Sequence, residues 1–120
     1  METDAVDVNS DVGEKADFGG KADLGQMESN AGRAARFLKT LANERRLMIL
    51  CHLVCGERSV GELEQLLGMR QPALSQQLAR LREDDLVATR RESRTIYYRI
   101  ASPEAEALLE QIYMLFCGKR

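Results

Sequence analysis

Two cysteines, Cys51 and Cys55, stand one helical turn apart in the apolar run LMILCHLVCG. The only histidine, His52, lies between them, and a third cysteine, Cys117, closes the last apolar stretch. Thiols can ligate a soft metal, form a disulfide, exchange with a sulfur-bearing reagent or fill a core. In a helix, side chains at i and i+4 have Cβ atoms about 5–6 Å apart, whereas a disulfide needs about 3.5–4.5 Å. A Cys51–Cys55 bridge is therefore disfavoured while the helix is intact, and Cys117 is the other candidate partner. His52 lies about 100° around the helix from Cys51, which is awkward for joint ligation; it reads as a partly exposed helix residue. Three cysteines are an odd count and too sparse for a secreted disulfide framework, so the resting state should be free thiols. A soft-metal site built from Cys51, Cys55 and Cys117 stays open at this point, as does simple core filling.

The elements that must position these thiols belong to a chain of 120 residues, 44% hydrophobic and 30% charged, with no Trp. That composition fits one soluble, helix-rich domain. No apolar run approaches the roughly 20 residues of a membrane span, and the acidic start is unlike a signal peptide, so a cytoplasmic location is expected. The net charge of -2 is unevenly spread: residues 1–30 hold eight acids against two lysines, and residues 31–120 hold 15 Lys and Arg against 11 Asp and Glu. Residues 1–25, rich in Asp and Gly, read as a disordered acidic tail. The near-repeat KADFG, KADLG within them is too brief for a repeat architecture. Residues 26–120 read as the folded domain.

In that domain a helix is expected from about Glu28 to Leu41, with Ala31, Ala34, Ala35, Leu38 and Leu41 on its apolar side. A second starts after the N-cap Asn43 and ends at Gly56, its stripe of Leu47, Leu50, Cys51 and Val54 placing Cys51 inside. Ser59 and Glu62 form a capping box, Gly68 stops the helix that follows, and Gln71 and Pro72 open another. Two helices joined by so short a Gly-containing turn read as a helix-turn-helix. On the second of these, Leu74, Leu78 and Leu81 face the core. Gln76 points almost opposite, flanked by Pro72, Ser75, Ala79 and Arg80. Small and amide side chains beside Arg suit a DNA major groove, where Gln can pair with adenine. Arg70, Arg80 and Arg82 are suited to the phosphates.

Two β-prone runs follow, Val87 to Arg91 and Thr95 to Ile100, about a polar turn of Glu92, Ser93 and Arg94. This hairpin carries Arg90, Arg91, Arg94 and Arg99, suited to a backbone or minor-groove contact. A helix-turn-helix followed by a basic hairpin is a winged helix, so the expected fold is mostly α with a small β-hairpin. The last helix runs from Ser102 and Pro103 to about Cys117. Its apolar surface, from Leu108, Leu109, Ile112, Leu115 and Phe116, is broader than a small domain needs. A two-fold homodimer with terminal helices at the interface is expected, presenting two recognition helices to double-stranded operator DNA. The chain offers no nucleophile-base pair and no phosphate-binding glycine loop, so neither catalysis nor a cofactor is expected. A winged helix that binds protein rather than DNA is the alternative of another class.

The order helix, helix, helix-turn-helix, wing, helix resembles the ArsR family of bacterial winged-helix repressors. The likeness covers about Gln26 to Cys117 and is carried by LANERRLMIL, SVGELEQLLGMRQPALSQQLARLREDDLV, RRESRTIYYRI and the closing helix. It implies that the face holding Gln71, Ser75 and Gln76 reads DNA and that an inducer lowers operator affinity. Metal-sensing relatives carry a Cys-x-Cys on the helix before the turn, or Asp and His ligands on the last helix. Here VGELEQLLG has no cysteine and SPEAEALLEQIYMLFCG no histidine, so no metal is expected at either usual site. A cysteine in the second helix with another near the end of the last is similar to the family's persulfide-sensing branch. That resemblance implies that organic persulfides or polysulfides join Cys51 and Cys117 through added sulfur, releasing operator DNA and derepressing sulfide-detoxification genes. Cys55 departs from the pattern, as a bystander or a competing thiol. A peroxide-driven disulfide switch and a thiolate metal sensor are the alternatives on the same scaffold.

Overall fold

The structure, a computed structural model, describes residues 24–118; the expected acidic tail, except for its last two residues, lies outside that range. The described elements are α1 (Leu24–Leu41), α2 (Glu44–Val54), β1 (Arg58–Ser59), α3 (Val60–Leu67), α4 (Gln71–Glu83), β2 (Val87–Glu92), β3 (Thr95–Ile100) and α5 (Pro103–Cys117). The three strands form one antiparallel sheet in the order β1-β3-β2. Helix-turn-helix, wing and closing helix are thus present as expected, and β1 is an addition.

The chain divides into two units within α1, at Ala34. In the first, the described residues are helical from Leu24, earlier than the expected start at Glu28. Ser29 Oγ donates to the Gly25 carbonyl at 3.1 Å and Asn30 Nδ2 to the Gln26 carbonyl at 2.9 Å. These short polar side chains bond back into the preceding turn instead of capping a helix start, so the helix passes through them.

The second unit begins with the end of α1. There Thr40 and Leu41 are buried and Phe37 packs on the core, while Leu38, expected inside, is exposed. Phe37 and Leu41, one turn apart, bury more apolar area than the alanine stripe could, and they set the helix's rotation. Asn43 caps α2, its side chain accepting from the Arg46 amide at 3.0 Å. The buried residues of α2 are Ile49, Leu50 and Leu53, with Leu47, Cys51 and Val54 at the core's edge. Cys51, expected inside, is therefore half-buried, because the buried stripe is centred on Leu50 and Leu53 rather than on the Leu47–Val54 line.

The capping box forms: Ser59 Oγ accepts from the Glu62 amide at 3.1 Å, and Glu62 Oε1 accepts from the Ser59 amide at 2.8 Å. Gly68 ends α3 at φ 64°, a left-handed conformation that a Cβ disfavours. From there Leu74, Leu78 and Leu81 turn α4 into the core as expected, beside Leu63 of α3 and Leu109 of α5. The end of α4 is a Schellman motif, with the Leu86 amide bonded to the Leu81 carbonyl and the Asp85 amide to that of Arg82. It aims the chain into β2. The wing closes over a two-residue turn, Ser93 and Arg94, flanked by the Glu92–Thr95 pair.

Candidate nucleic-acid interface and thiol pair

Because three leucines fix the rotation of α4, its other side is open: Arg70, Gln71, Ser75, Gln76, Ala79 and Arg82 are all exposed. Of the DNA-reading residues expected on this helix, the structure brings Gln71, Ser75 and Gln76 onto one free face, with Arg70 at its N-terminal end. No side chain caps that terminus and no acid lies in its first turn, so the first amides of α4 face outward with the positive end of the helix dipole. A DNA backbone is the kind of anion such an end favours.

Arg80 is placed differently. Its Nε donates to Asp84 Oδ2 at 3.1 Å and its Nη2 to Thr40 Oγ1 at 3.4 Å. Asp84 also accepts from the Thr40 hydroxyl and from Arg36 Nη2, the latter at 2.6 Å. Arg46 of α2 ties to both α1 and α4, donating from Nε to the Thr40 carbonyl at 2.7 Å and from Nη1 to Gln77 Oε1 at 3.0 Å. The side chain of Asp84 is only 6% exposed, and its hydrogen bonds from Thr40, then Arg36 and Arg80, hold its carboxyl down at about 2 against burial. The network pins the C-terminal half of the recognition helix to the α1–α2 corner. It gives Arg80 a structural partner in place of a free phosphate-facing role.

On the wing, Arg91 and Arg94 are exposed. Arg90 is held: it meets Glu57 and Glu92, each at 2.8 Å, and lies over the Tyr97 ring 4.6 Å from its centroid.

All three cysteines are free; Cys51 is half-buried, and Cys55 and Cys117 are exposed. Burial pushes the Cys51 thiol up, and the Cys117 and then the Cys55 thiolates push it further. Cys51 lies on α2 and Cys117 at the end of α5, and these two helices pack against each other. The Cys55 Sγ contacts the Cys51 carbonyl at 3.8 Å, a turn-to-turn contact that leaves the two sulfurs unbridged. Among the described residues no group of three His, Cys, Asp or Glu side chains is arranged to hold a metal ion. No helix among them is long and apolar enough to cross a membrane.

Residues 43–89, from the cap of α2 into the wing, match the profile of the bacterial regulatory protein, arsR family. Over 99 residues the chain is 48% identical to the transcriptional activator HlyU of Vibrio cholerae, covering 82% of this chain and 92% of that one. The chain belongs to the arsR family. It is 52% identical over 99 residues to the biofilm growth-associated repressor of Agrobacterium fabrum, covering 82% of this chain and 85% of that one. The crystal structure of the transcriptional repressor BigR from Xylella fastidiosa matches at a TM-score of 0.75 and 48% identity, over 80% of this chain and 98% of that one. As an ArsR-type, BigR- and HlyU-like protein with a winged helix-turn-helix, it is a DNA-binding transcriptional regulator.

Within this ArsR domain, sequence reasoning missed the Asp84 network and Glu57. The pattern REDDL does put three acids, Glu83, Asp84 and Asp85, at the end of α4. Which of them turns inward depends on the Schellman motif, where Asp85 takes φ 60° and Asp84 is left facing the helices.

Proposed function

We propose that this protein is a homodimeric repressor that binds operator DNA through α4 and the wing, and that reactive sulfur species release it by bridging Cys51 and Cys117. The single observation that supports the sensing half is that α2 and α5, which carry Cys51 and Cys117, pack against each other, with Cys117 adding to the cost of charging Cys51. Cys117 is the more open of the two to a reagent in solution.

A balanced route needs only an organic persulfide, which serves as both sulfur donor and oxidant. One cysteine thiolate takes the outer sulfur of a first persulfide and releases a thiol. The protein persulfide then attacks a second persulfide, expelling hydrogen sulfide and leaving a mixed trisulfide. The other cysteine thiolate attacks the central sulfur of that trisulfide, expelling the second thiol and closing a three-sulfur bridge. Two organic persulfides thus become two thiols and one hydrogen sulfide, and the inserted sulfur lengthens the link between helices that a direct disulfide would draw together. Repression of sulfide-detoxification genes would be relieved by such a bridge.

The DNA half rests on the free face of Gln71, Ser75 and Gln76, on Arg70 at the helix start, and on Arg91 and Arg94 at the wing tip. Arg80 and Arg90 reach the backbone only by leaving their carboxylates. Dimerisation is supported by α5, which exposes Tyr113, Met114, Leu115 and Phe116, the last at 82%. A monomer has little reason to present four adjacent large apolar side chains to water. The cytoplasm is the location this role calls for. The test is operator binding by fluorescence anisotropy with reduced and persulfide-treated protein. Release of the operator by persulfide, reversed by a reductant, is the expected result; unchanged binding by chemically bridged protein would refute the reading.

A further inference from the structure

We propose that Glu57 gates the wing, holding Arg90 in the DNA-free protein and yielding it to a DNA phosphate on binding. The inference rests on the reading above that wing arginines meet the DNA backbone. Arg90 Nη2 lies 2.8 Å from Glu57 Oε1 and its Nε 3.1 Å from Oε2, a fork on both carboxylate oxygens. Its Nη1 donates to Glu92 Oε1 at 2.8 Å. Two carboxylates thus surround one guanidinium, and the group carries a net negative charge on the strand a polyanion must approach. Among the described residues, Arg91 and Arg94 of the same hairpin are held by no carboxylate.

The sheet explains how Glu57 reaches so far. Ser59, Tyr97 and Arg90 form one row across β1, β3 and β2, and Arg90 stacks on the Tyr97 ring. Glu57 reaches across β3 to Arg90 from just before β1. Gly56 makes the turn out of α2 at φ 146°, a conformation open to glycine and strained for other residues. Electrostatics agree with the geometry: Arg90 holds the Glu57 carboxyl below the usual range, and Glu57 is the largest cause of the raised Arg90 guanidinium.

Carboxylate and phosphate offer a guanidinium the same two-oxygen fork. An ion pair with 44% and 31% of its side chains exposed contributes little to stability, so exchanging one anion for the other is cheap. Glu57 would therefore lower affinity for any duplex without altering base preference, a brake on general DNA binding.

The experiment measures affinity for a random duplex across a salt series, using full-length reduced protein, with circular dichroism confirming each fold. The variants are Glu57→Gln, Arg90→Gln, the two combined, and Arg91→Gln with Arg94→Gln. The Gln at position 57 keeps an acceptor for Arg90 and removes only the charge. The gate predicts several-fold tighter binding by Glu57→Gln with a salt dependence steeper by up to about one counterion. It also predicts weaker, flatter binding by Arg90→Gln and no effect of Glu57→Gln on that background. Wild-type or weaker binding by Glu57→Gln, while the Arg91 and Arg94 pair still flattens the salt dependence, would overturn the gate and leave the wing reading standing. No change in any wing variant would overturn both.

Discussion

Thr40 and Asp84, 44 residues apart, meet in a hydrogen bond: the hydroxyl near the end of α1 donates to the carboxylate that ends α4. The bond matters because the same carboxylate holds Arg36 and Arg80, so one side chain locks the recognition helix to the end of α1. Folding lowers the Asp84 carboxyl from its ordinary 3.8 to about 2. Its contribution is therefore fully present above about pH 4 and is lost as pH falls through 2, amounting to about 2 kcal/mol. Asp84→Asn should cost about 2 kcal/mol at neutral pH, by removing the charge that Thr40, Arg36 and Arg80 bond to, and should remove that part of the acid sensitivity. Urea midpoints at pH 7, 4 and 2.5 check both. Arg80→Gln should lower stability while leaving the salt dependence of DNA binding largely unchanged.

Gln76 stands opposite the leucine face of α4, with no contact that the fold needs. Gln76→Ala should leave the melting temperature unchanged and reduce discrimination between operator and random DNA by about 1–3 kcal/mol. Competition binding with both duplexes measures the ratio. Equal losses on the two would place Gln76 on the backbone rather than on a base.

Phe116 is exposed in the protomer, so a charge there leaves the folded subunit intact and strikes only what covers it. Phe116→Glu should weaken self-association about 100-fold or more, because a two-fold interface loses two buried rings at once. Sedimentation velocity across a concentration series reads the change. Operator affinity should fall with it.

Cys51 is half-buried, with its thiol pushed up by burial, whereas Cys117 is exposed. Replacing both with Ser should leave operator binding within about twofold, since neither touches the DNA-reading face, and should abolish release by persulfide. Anisotropy before and after persulfide treatment gives the comparison. Cys55→Ser should still be released.

The local signals of this fold were largely legible in the sequence because each has its own chemistry. The Asn43 cap, the Ser59–Glu62 box, the Gly68 stop and the Leu74–Leu78–Leu81 face all stand where side-chain type dictates. What the sequence concealed is rotation and long-range pairing. Leu38 turned outward because Phe37 and Leu41 compete for the same core, and Cys51 lies at the core's edge because Leu50 and Leu53 take the centre. The candidate DNA face on α4 was readable from periodicity, whereas the diversion of Arg80 to Asp84 and of Arg90 to Glu57 was not. Partners 33 residues apart, as Arg90 and Glu57 are, leave no spacing signal.

Sensing of reactive sulfur requires that Cys51 and Cys117 be joined by added sulfur. The decisive measurement is intact-mass spectrometry of reduced protein after separate exposure to an organic persulfide and to peroxide, followed by peptide mapping without reductant. A Cys51–Cys117 crosslink heavier than a disulfide by whole sulfur atoms, formed with persulfide and not with peroxide, is the predicted result. A direct Cys51–Cys117 disulfide with either reagent, or persulfide adducts confined to Cys55, would contradict it.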